Sequence, residues 1–215
     1  MELYFMKNRC SFLSTIGLAA LMSAAVAFAA PAPGAEASAE AKAKVGEAAP
    51  NFTLDDANGK SHSLSDYKGK IVILQWINPD CPICRRVSKA GLVTKMAKEC
   101  KALNKDIVHL AINSTAGMPG STSAKYLKKH KIKALALIDG DGKVGHRYGA
   151  RTTPHIFVID AEGILRYQGA IDDDPRGGKE DATNYVVNAV RQISSGETVS
   201  PDYVKSYGCS VKYAD

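Results

Sequence analysis

Residues 71–84 read IVILQWINPDCPIC, and this stretch decides the fold. Its first part, Ile71–Ile77, is almost entirely apolar and too short for a typical helix, which predicts a central strand buried on both faces. The polar and proline residues at 78–80 end the strand, and from Pro82 apolar residues recur at helical spacing as far as Cys100. We therefore expect a buried strand, a short turn and one long helix, with a pair of cysteines at the junction.

The rest of the chain alternates apolar segments of strand length with segments of helical periodicity. We expect strands at Phe52–Leu54, His62–Leu64, Ile107–Ile112, Leu135–Ile138, Ile156–Ile159 and Ile164–Ala170, and further helices at Thr122–His130 and Asp181–Ser194. Strands and helices alternate first, and a hairpin and a helix follow. This order predicts an α/β sandwich in which helices flank a central mixed β-sheet.

Composition is that of an ordinary globular protein. The chain has 215 residues, of which 45% are hydrophobic and 23% charged, and this size suits one medium domain. The formal net charge is +6, but the lysines and arginines are scattered and form no basic stripe interleaved with aromatic residues. The pattern disfavours nucleic-acid binding, and the densest lysine group, at 125–133, is interpreted as a solvated helix face.

The amino terminus resembles an export signal. Lys7 and Arg9 precede an apolar run, residues 12–30, which ends in Ala-Phe-Ala at 27–29 and is followed by Pro31. This arrangement predicts a signal peptide over residues 1–29, removed on export to the periplasm or the exterior. The alternative is an uncleaved anchor helix, because the run is long enough to cross a bilayer. Stable membrane insertion is expected only if the signal is kept.

Three further regions follow the predicted signal. Residues 30–45 are Ala, Glu, Lys and Pro with almost nothing bulky, which predicts a flexible linker. Residues 46–198 contain all the predicted strands and helices and are expected to form one domain, and 199–215 are expected to form a C-terminal tail. Outside the signal the cysteines lie at positions 81, 84, 100 and 209. Export would bring them into a compartment where disulfides persist.

The candidate chemistry lies in the Cys-Pro-Ile-Cys motif at 81–84. Such a motif alone is compatible with half a zinc site, a structural loop or a redox pair. The sequence has no second C-x-x-C and no H-x₃₋₅-H, so a metal is not expected. No feature of the sequence requires a flavin, a nucleotide or another cofactor. Because Pro82 suits the first helical position, Cys81 would lie at a helix N-terminus, where backbone N–H groups and the helix dipole stabilise a thiolate. Asp80 would oppose this effect and Arg85 and Arg86 would reinforce it.

Several motifs together resemble a known family. A strand ending in Cys-Pro-Ile-Cys, a helix, and a Thr-Pro pair about 70 residues later resemble the thioredoxin fold. The segments GEAAPNF at 46–52, TPHIFVID at 153–160 and YGCSVK at 207–212 resemble the redoxin branch of that superfamily, the alkyl hydroperoxide reductase/thiol-specific antioxidant proteins. The resemblance implies that Cys81 is the attacking thiol and Cys84 its resolving partner. It also implies that Thr153 and Pro154 form a cis-proline loop that presents the substrate backbone.

The chain departs from the family patterns at informative positions. The peroxidase pattern Pro-x-x-x-Thr/Ser-x-x-Cys meets Leu74 and Asn78 here, and the arginine expected three residues before Phe157 is Pro154. An arginine there would polarise a peroxide, so these departures favour disulfide exchange over peroxide reduction. Arg151 lies nearby and keeps the peroxidase alternative open. The thioredoxin pattern differs as well, because Gln75 stands where a buried Asp would assist proton transfer.

We therefore expect an exported thiol-disulfide oxidoreductase. Its partners would be proteins bearing disulfides or thiols, together with a separate redox donor or acceptor. The alternatives are a peroxiredoxin-like peroxidase, in which Cys81 passes through a sulfenic acid, and a non-catalytic binding domain with a structural disulfide. His155 adjoins the Thr-Pro pair, and substrate contact or loop packing is favoured there over an acid/base role.

The two other cysteines receive different interpretations. Cys100 falls on the apolar stripe of the helix, which predicts a buried structural thiol. Cys209 lies in the tail without an obvious partner, and we hypothesise that it is an auxiliary resolving thiol that folds back over the active site. The alternative is a structural tail that packs on the sheet through Tyr207, Val211 and Tyr213 and carries an idle cysteine.

Overall fold

The structure is a computed structural model, and it describes residues 41–214. The predicted signal peptide and most of the predicted linker lie outside the described residues. Within 41–214, none of the helices combines the length and the apolar character needed to cross a membrane.

Strands and helices alternate along the described chain. The strands are β1 (Thr53–Asp56), β2 (Ser61–Ser63), β3 (Ile71–Trp76), β4 (Ile107–Asn113), β5 (Leu135–Ile138), β6 (Thr152–Thr153), β7 (His155–Ile159), β8 (Leu165–Gly169) and β9 (Cys209–Ser210). The helices are α1 (Pro82–Lys89), α2 (Leu92–Leu103), α3 (Gly120–Lys129), α4 (Lys143–Tyr148) and α5 (Tyr185–Ser194), and a 3₁₀ turn covers Leu64–Tyr67. Every strand expected from the sequence is confirmed.

Seven strands form one mixed sheet in the order β2-β1-β5-β4-β3-β7-β8, while β6 and β9 form a separate two-stranded sheet. Strands β3, β4 and β5 are parallel to one another. Strand β7 pairs antiparallel with both β3 and β8. The predicted architecture, a central mixed sheet flanked by helices, is confirmed.

Strand β3 is buried on both faces because side chains alternate across a strand. Ile71 and Ile73 belong to one core, which α2 and α5 complete, while Leu74 and Trp76 belong to a second core with the short helix α4. All six residues of β3 are at most 3% exposed. The apolar run in the sequence therefore forms the centre of the molecule, and the motif at 81–84 begins just beyond the end of β3.

The prediction of one long helix from Pro82 to Cys100 is wrong. The helix is interrupted at Gly91, whose φ of 76° lies in the left-handed region, where a right-handed helix cannot continue. Helix α1 ends at Lys89 and α2 begins at Leu92. Cys100 lies on the inner face of α2, fully buried and unbonded, so the expectation of a buried thiol is confirmed.

Other differences from the expected elements are local. Helix α5 begins at Tyr185 rather than Asp181, because the Asn184 side chain accepts a hydrogen bond from the Val187 N–H at 3.0 Å and caps the helix there. Helix α4 and the two-residue strands β6 and β9 were not expected from the sequence. The Asp139 carboxylate accepts hydrogen bonds from the first turn of α4, and β9 pairs only with the two-residue strand β6.

Candidate active site

The two cysteines of the motif lie where β3 gives way to α1. Cys81 is the N-terminal cap of α1, and its Sγ accepts a hydrogen bond from the Cys84 N–H at 3.4 Å. Pro82 occupies the first turn, a position in which its missing N–H costs no helical hydrogen bond. Cys84 follows one turn later and is completely buried, while Cys81 is 2% exposed. The geometry predicted for the pair from the sequence is thus present.

The Thr153–Pro154 loop lies against Cys81. The peptide bond between these residues is cis, and the Cys81 Sγ is 3.1 Å from the Thr153 carbonyl oxygen. Strand register explains this proximity, because β7 pairs with β3 and aligns His155 with Trp76 at the end of β3 that precedes the motif. The sheet therefore brings together two segments that are 72 residues apart in the sequence.

A third thiol completes the cluster. Strand β9 pairs antiparallel with β6, so that Cys209 lies opposite Thr153 and Ser210 opposite Thr152. The Cys209 Sγ is 2.7 Å from the Cys81 Sγ, across 128 residues of sequence. All three cysteines of the cluster are free thiols in the structure.

The environment makes Cys81 the acidic member of the cluster. Hydrogen bonding from the Cys84 thiol is the largest cause, and with the Cys209 thiol and the Cys84 N–H it lowers the pKa of Cys81 to about 4, against the opposing effect of burial. The pKa of Cys84 is raised well above its ordinary value, first by its hydrogen bond to Cys81 and then by burial. Burial and the hydrogen bond to Cys81 also raise the pKa of Cys209. The cluster therefore favours one thiolate with two thiol donors.

Arginine side chains contribute less to this environment than the sequence suggests. Arg85 bonds to the Asp80 carboxylate at 2.8 Å and to the Pro79 carbonyl oxygen at 2.7 Å. The Arg86 guanidinium donates to the Pro175 carbonyl oxygen at 2.7 Å. Both guanidinium groups are held by other partners, so the expected reinforcement by arginine is replaced by hydrogen bonds among the thiols and from the helix N-terminus.

Tyr126 is a contact of the motif that the sequence did not reveal. Its hydroxyl donates to the Cys84 carbonyl oxygen at 2.8 Å and lies 2.6 Å from the Ser88 Oγ. All three residues are buried, and the contact joins α3 to α1. Because 42 residues separate Tyr126 from Cys84, no local pattern signals that this tyrosine positions the backbone of the motif.

The histidine and the glutamine named from the sequence are both buried, and within residues 41–214 the His155 Nε2 has no hydrogen-bond partner. The His155 Nδ1 accepts from the Arg151 N–H at 3.3 Å, and its ring centre is 4.5 Å from that of Phe157. Burial, with a smaller effect of Arg151, lowers the pKa of His155 to about 4, so its ring is neutral near pH 7. The Gln75 Oε1 lies 2.9 Å from the Nε2 of the buried His109. Gln75 is therefore engaged by a neighbouring strand.

The acidic loop at 172–174 is occupied by protein donors. The Tyr207 hydroxyl donates to Asp172, and Asp174 accepts the N–H groups of Gly177 and Gly178 at 2.8 and 2.7 Å. Across the described part of the chain, no group of three or more His, Cys, Asp or Glu side chains has the geometry to hold a metal ion.

Comparisons with known proteins show which family this chain resembles in sequence. The family model described as AhpC/TSA matches residues 45–168. The thiol-disulfide oxidoreductase ResA of Geobacillus thermodenitrificans is 30% identical over 122 residues, which cover 57% of this chain and 67% of that protein. Peroxiredoxin Q of Oryza sativa subsp. japonica is 28% identical over 130 residues, or 57% of each chain.

A solved structure matches over a longer region. The crystal structure of a hypothetical protein from Sinorhizobium meliloti 1021 aligns with a TM-score of 0.70 and 28% identity, over 80% of this chain and 95% of that one. The crystal structure of a putative thiol:disulfide interchange protein DsbE from Chlorobium tepidum aligns with a TM-score of 0.50 and 26% identity, over 59% of this chain and 85% of that one, and the predicted thioredoxin-like fold is confirmed. The family match ends at residue 168, so the C-terminal segment that carries Cys209 lies outside it.

Proposed function

The chain belongs to the AhpC/TSA family and is an oxidoreductase, and we propose that it exchanges disulfides with other proteins through the pair Cys81 and Cys84. The observation that carries the proposal is the contrast between neighbouring thiols. The pKa of Cys81 is lowered to about 4 at the start of a helix, while the pKa of Cys84, one turn later, is raised well above its ordinary value. This contrast suits Cys81 as the attacking thiolate and Cys84 as a resolving thiol that stays protonated until the second step.

In the proposed reaction the substrate disulfide is the oxidant. The Cys81 thiolate attacks one sulfur of a disulfide R–S–S–R′, forming Cys81–S–S–R and releasing R′–S⁻. The Cys84 sulfur then attacks the Cys81 sulfur, which forms Cys81–S–S–Cys84 and releases R–S⁻. Two electrons pass from the cysteine pair to the substrate. A separate redox donor must then reduce the pair, and the same steps in reverse would oxidise a dithiol.

The second step requires Cys84 to lose its proton. The largest influence raising its pKa is the hydrogen bond to Cys81, and that sulfur loses its charge once it enters the mixed disulfide. The pKa of Cys84 therefore falls at the stage when its thiolate is needed, and the released R′–S⁻ accepts the proton. Gln75 cannot take this proton because an amide side chain has no basic site at neutral pH.

We assign substrate binding to Thr153, Pro154 and His155. Thr153 is buried against Cys81, and its carbonyl oxygen lies 3.1 Å from the Cys81 Sγ. An extended substrate segment that pairs with the backbone here would bring its own sulfur to Cys81. His155 is neutral and packed on Phe157, so its proposed role is to hold the loop and contact the substrate rather than to transfer a proton.

We further propose that Cys209 is an auxiliary resolving thiol. Its sulfur could attack Cys81–S–S–R to give Cys81–S–S–Cys209 and R–S⁻, and the distance of 2.7 Å between the two sulfurs supports this assignment. The test is mass spectrometry of the Cys84→Ser protein after reaction with a protein disulfide. An intramolecular Cys81–Cys209 bond is expected. A persistent mixed disulfide with Cys209 still alkylated by iodoacetamide would refute the assignment.

Export to the periplasm or the exterior is also proposed, on the basis of the apolar run at 12–30 and the small residues at 27–29. The mature chain is expected to begin near Ala30. Amino-terminal sequencing of the protein recovered from fractionated cells tests this. An intact start at Met1 or Met6 in a soluble cytoplasmic fraction would contradict it.

A thiol peroxidase is the second candidate, favoured by the similarity to peroxiredoxin Q. Leu74, Asn78 and Pro154 occupy the positions at which the peroxidase pattern has functional side chains, so we expect disulfide exchange to dominate. The deciding experiment assays the mature protein on a protein disulfide and on hydrogen peroxide, with Cys81→Ser and Cys84→Ser as controls. Faster turnover of peroxide than of disulfide at equal concentration would overturn the proposed order.

A further inference from the structure

The C-terminal segment 207–212 covers the Thr153–Pro154 loop as an added strand. Beyond the β6–β9 pairing, the Val211 N–H donates to the Arg151 carbonyl oxygen at 3.1 Å. The Thr153 Oγ1 lies 3.5 Å from the Cys209 carbonyl oxygen. The segment thus binds the backbone edge on which the proposed function places an extended substrate.

The cysteine of this segment also occupies the place that a substrate sulfur would need. Cys209 lies opposite Thr153 and its Sγ is 2.7 Å from that of Cys81. With the segment in place Cys81 is only 2% exposed, which closes the attacking sulfur to a disulfide on another protein. Cys84 is fully buried, whereas Cys209 is half-buried. Cys84 therefore contacts Cys81 from the protein interior, and Cys209 contacts it from the surface side.

Gly208 makes this close approach feasible. Its φ is +134°, and a Cβ at this position would lie 2.2 Å from the Thr153 carbonyl oxygen and 2.7 Å from its carbonyl carbon. No side chain fits at such distances, because the obstructing atoms belong to the backbone. The residue preceding the cysteine must therefore be glycine for a strand to pair with Thr153 in this way.

We propose that residues 207–212 are a built-in substrate mimic that blocks the substrate site of the reduced protein, and that preferred protein substrates present a cysteine preceded by glycine in an extended segment. The proposal rests on the proposed function, since it takes Cys81 as the attacking sulfur. It differs from the resolving role of Cys209 because blocking needs the strand, whereas resolution needs the sulfur.

Tyr207 of the segment and Tyr213, the residue that follows it, anchor the segment to the domain. The Tyr207 hydroxyl donates to Asp172. The Tyr213 hydroxyl donates to the Ala150 carbonyl oxygen at 2.7 Å, and its ring stacks on His146 with centres 3.9 Å apart. Strand β9 is outside the seven-stranded sheet, so its departure leaves that sheet intact. A substrate strand that pairs with β6 would replace the hydrogen bonds that are lost.

The test uses the mature full-length protein with Cys84→Ser and Cys209→Ser, in which Cys81 alone remains in the cluster. The probe is the synthetic peptide YGCSVK with its cysteine joined to thionitrobenzoate as a mixed disulfide. Attack by Cys81 on the peptide sulfur forms Cys81–S–S–peptide and releases coloured thionitrobenzoate. Gly208→Ala is added to expel the segment, Tyr207→Phe to loosen one anchor, and Gly140→Ala as the matched control, because a Cβ at Gly140 meets no atom within 4 Å.

The mimic predicts that Gly208→Ala accelerates release at least about tenfold, that Tyr207→Phe gives a smaller acceleration, and that Gly140→Ala leaves the rate unchanged. In the Gly208→Ala protein the peptide YACSVK should react at least about tenfold more slowly than YGCSVK. Equal rates of thionitrobenzoate release in the parent, Gly208→Ala and Tyr207→Phe proteins would show that residues 207–212 do not block the substrate site. Equal rates for the two peptides would overturn the glycine preference.

The Tyr207→Phe protein keeps the test decisive if Gly208→Ala does not fold. Small oxidised glutathione serves as the probe of the proposed function itself. If Cys81 reacts with glutathione disulfide but the rate with the peptide is the same in the parent and in the Gly208→Ala and Tyr207→Phe proteins, only the substrate-mimic proposal is refuted. A Cys81 inert to both disulfides in every variant would instead refute the proposed function.

Discussion

Cys84 and Cys209 both hydrogen-bond to Cys81, but they reach it by opposite routes. Cys84 lies three residues along the chain, and the first turn of α1 positions it. Cys209 is 128 residues away and arrives through the pairing of two short strands. The lowered pKa of Cys81 comes mainly from the local motif, whereas the burial of Cys81 beneath the tail depends on a distant segment of the chain.

The largest expected effect is the loss of disulfide exchange when Cys81, the cysteine that contacts both other thiols, is replaced. Cys81→Ser should lower the rate of protein disulfide reduction by at least about 10³-fold, because a hydroxyl is not ionised at neutral pH and is a poor nucleophile. Insulin reduction measured by turbidity checks this. Cys100→Ala is the matched control, since Cys100 is buried on α2 away from the cluster and should retain activity. Comparable activity of Cys81→Ser and the parent would remove Cys81 from the reaction.

A second experiment compares how much the Cys84 thiol and the Cys209 thiol each lower the pKa of Cys81. Cys84→Ala should raise the pKa of Cys81 more than Cys209→Ala does, because the hydrogen bond from Cys84 is the largest cause of the lowered pKa. Thiolate absorbance in the ultraviolet, followed against pH, measures this without requiring a reagent to reach the sulfur. A larger shift in Cys209→Ala would reverse the comparison and make the tail the main source of reactivity.

The low pKa of Cys81 also predicts a pH dependence of stability. It is about 4 in the folded protein and 9.0 for the ordinary thiol, so the unfolded state binds the extra proton between these values. The stabilisation is complete above about pH 9, declines as the pH falls, and is lost near pH 4. Urea unfolding at several pH values should therefore give the reduced parent a steeper rise in unfolding free energy from pH 6.5 to 9 than Cys81→Ser. Parallel curves would show that the thiolate is not stabilised.

Burial of two histidines adds to the same trend at lower pH. The pKa values of His109 and His155 are both lowered to about 4 by burial, from an ordinary value of 6.5. Each side chain takes up a proton more readily when unfolded, so stability is lost as the pH falls from about 6.5 towards 4. The Cys81→Ser protein keeps this decline, which makes the window above pH 6.5 the informative one for the thiol.

The smallest expected effect concerns Tyr126, whose hydroxyl supports the backbone of Cys84. Tyr126→Phe removes the hydroxyl that donates to the Cys84 carbonyl oxygen and should lower the unfolding free energy by about 1 kcal/mol. Urea denaturation measures this. Tyr203→Phe is the control because Tyr203 is 53% exposed, and it should be neutral. A neutral Tyr126→Phe would mean that the motif backbone does not depend on α3.

The sequence by itself was sufficient for the elements whose signals are local. The apolar run at 71–77 identified the central strand, and the break at 78–80 with Pro82 identified the junction that carries Cys81. The expected strand alternation and the closing hairpin were likewise confirmed. These features follow from periodicity and from the conformational limits of proline, which act over a few residues. Gly91 was an available signal for the break between α1 and α2, but helical periodicity on both sides outweighed it.

Only the tertiary structure decided the features that depend on distant partners. Strand β9 has two residues, too few for any pattern, and its place comes from pairing with Thr152–Thr153. Tyr126 reaches Cys84 across 42 residues, and Cys209 reaches Cys81 across 128. A hydrogen bond between segments far apart in sequence leaves no periodic trace in either of them. For this reason the sequence determined which cysteine begins the helix, and the packed sheet decided which segment covers it.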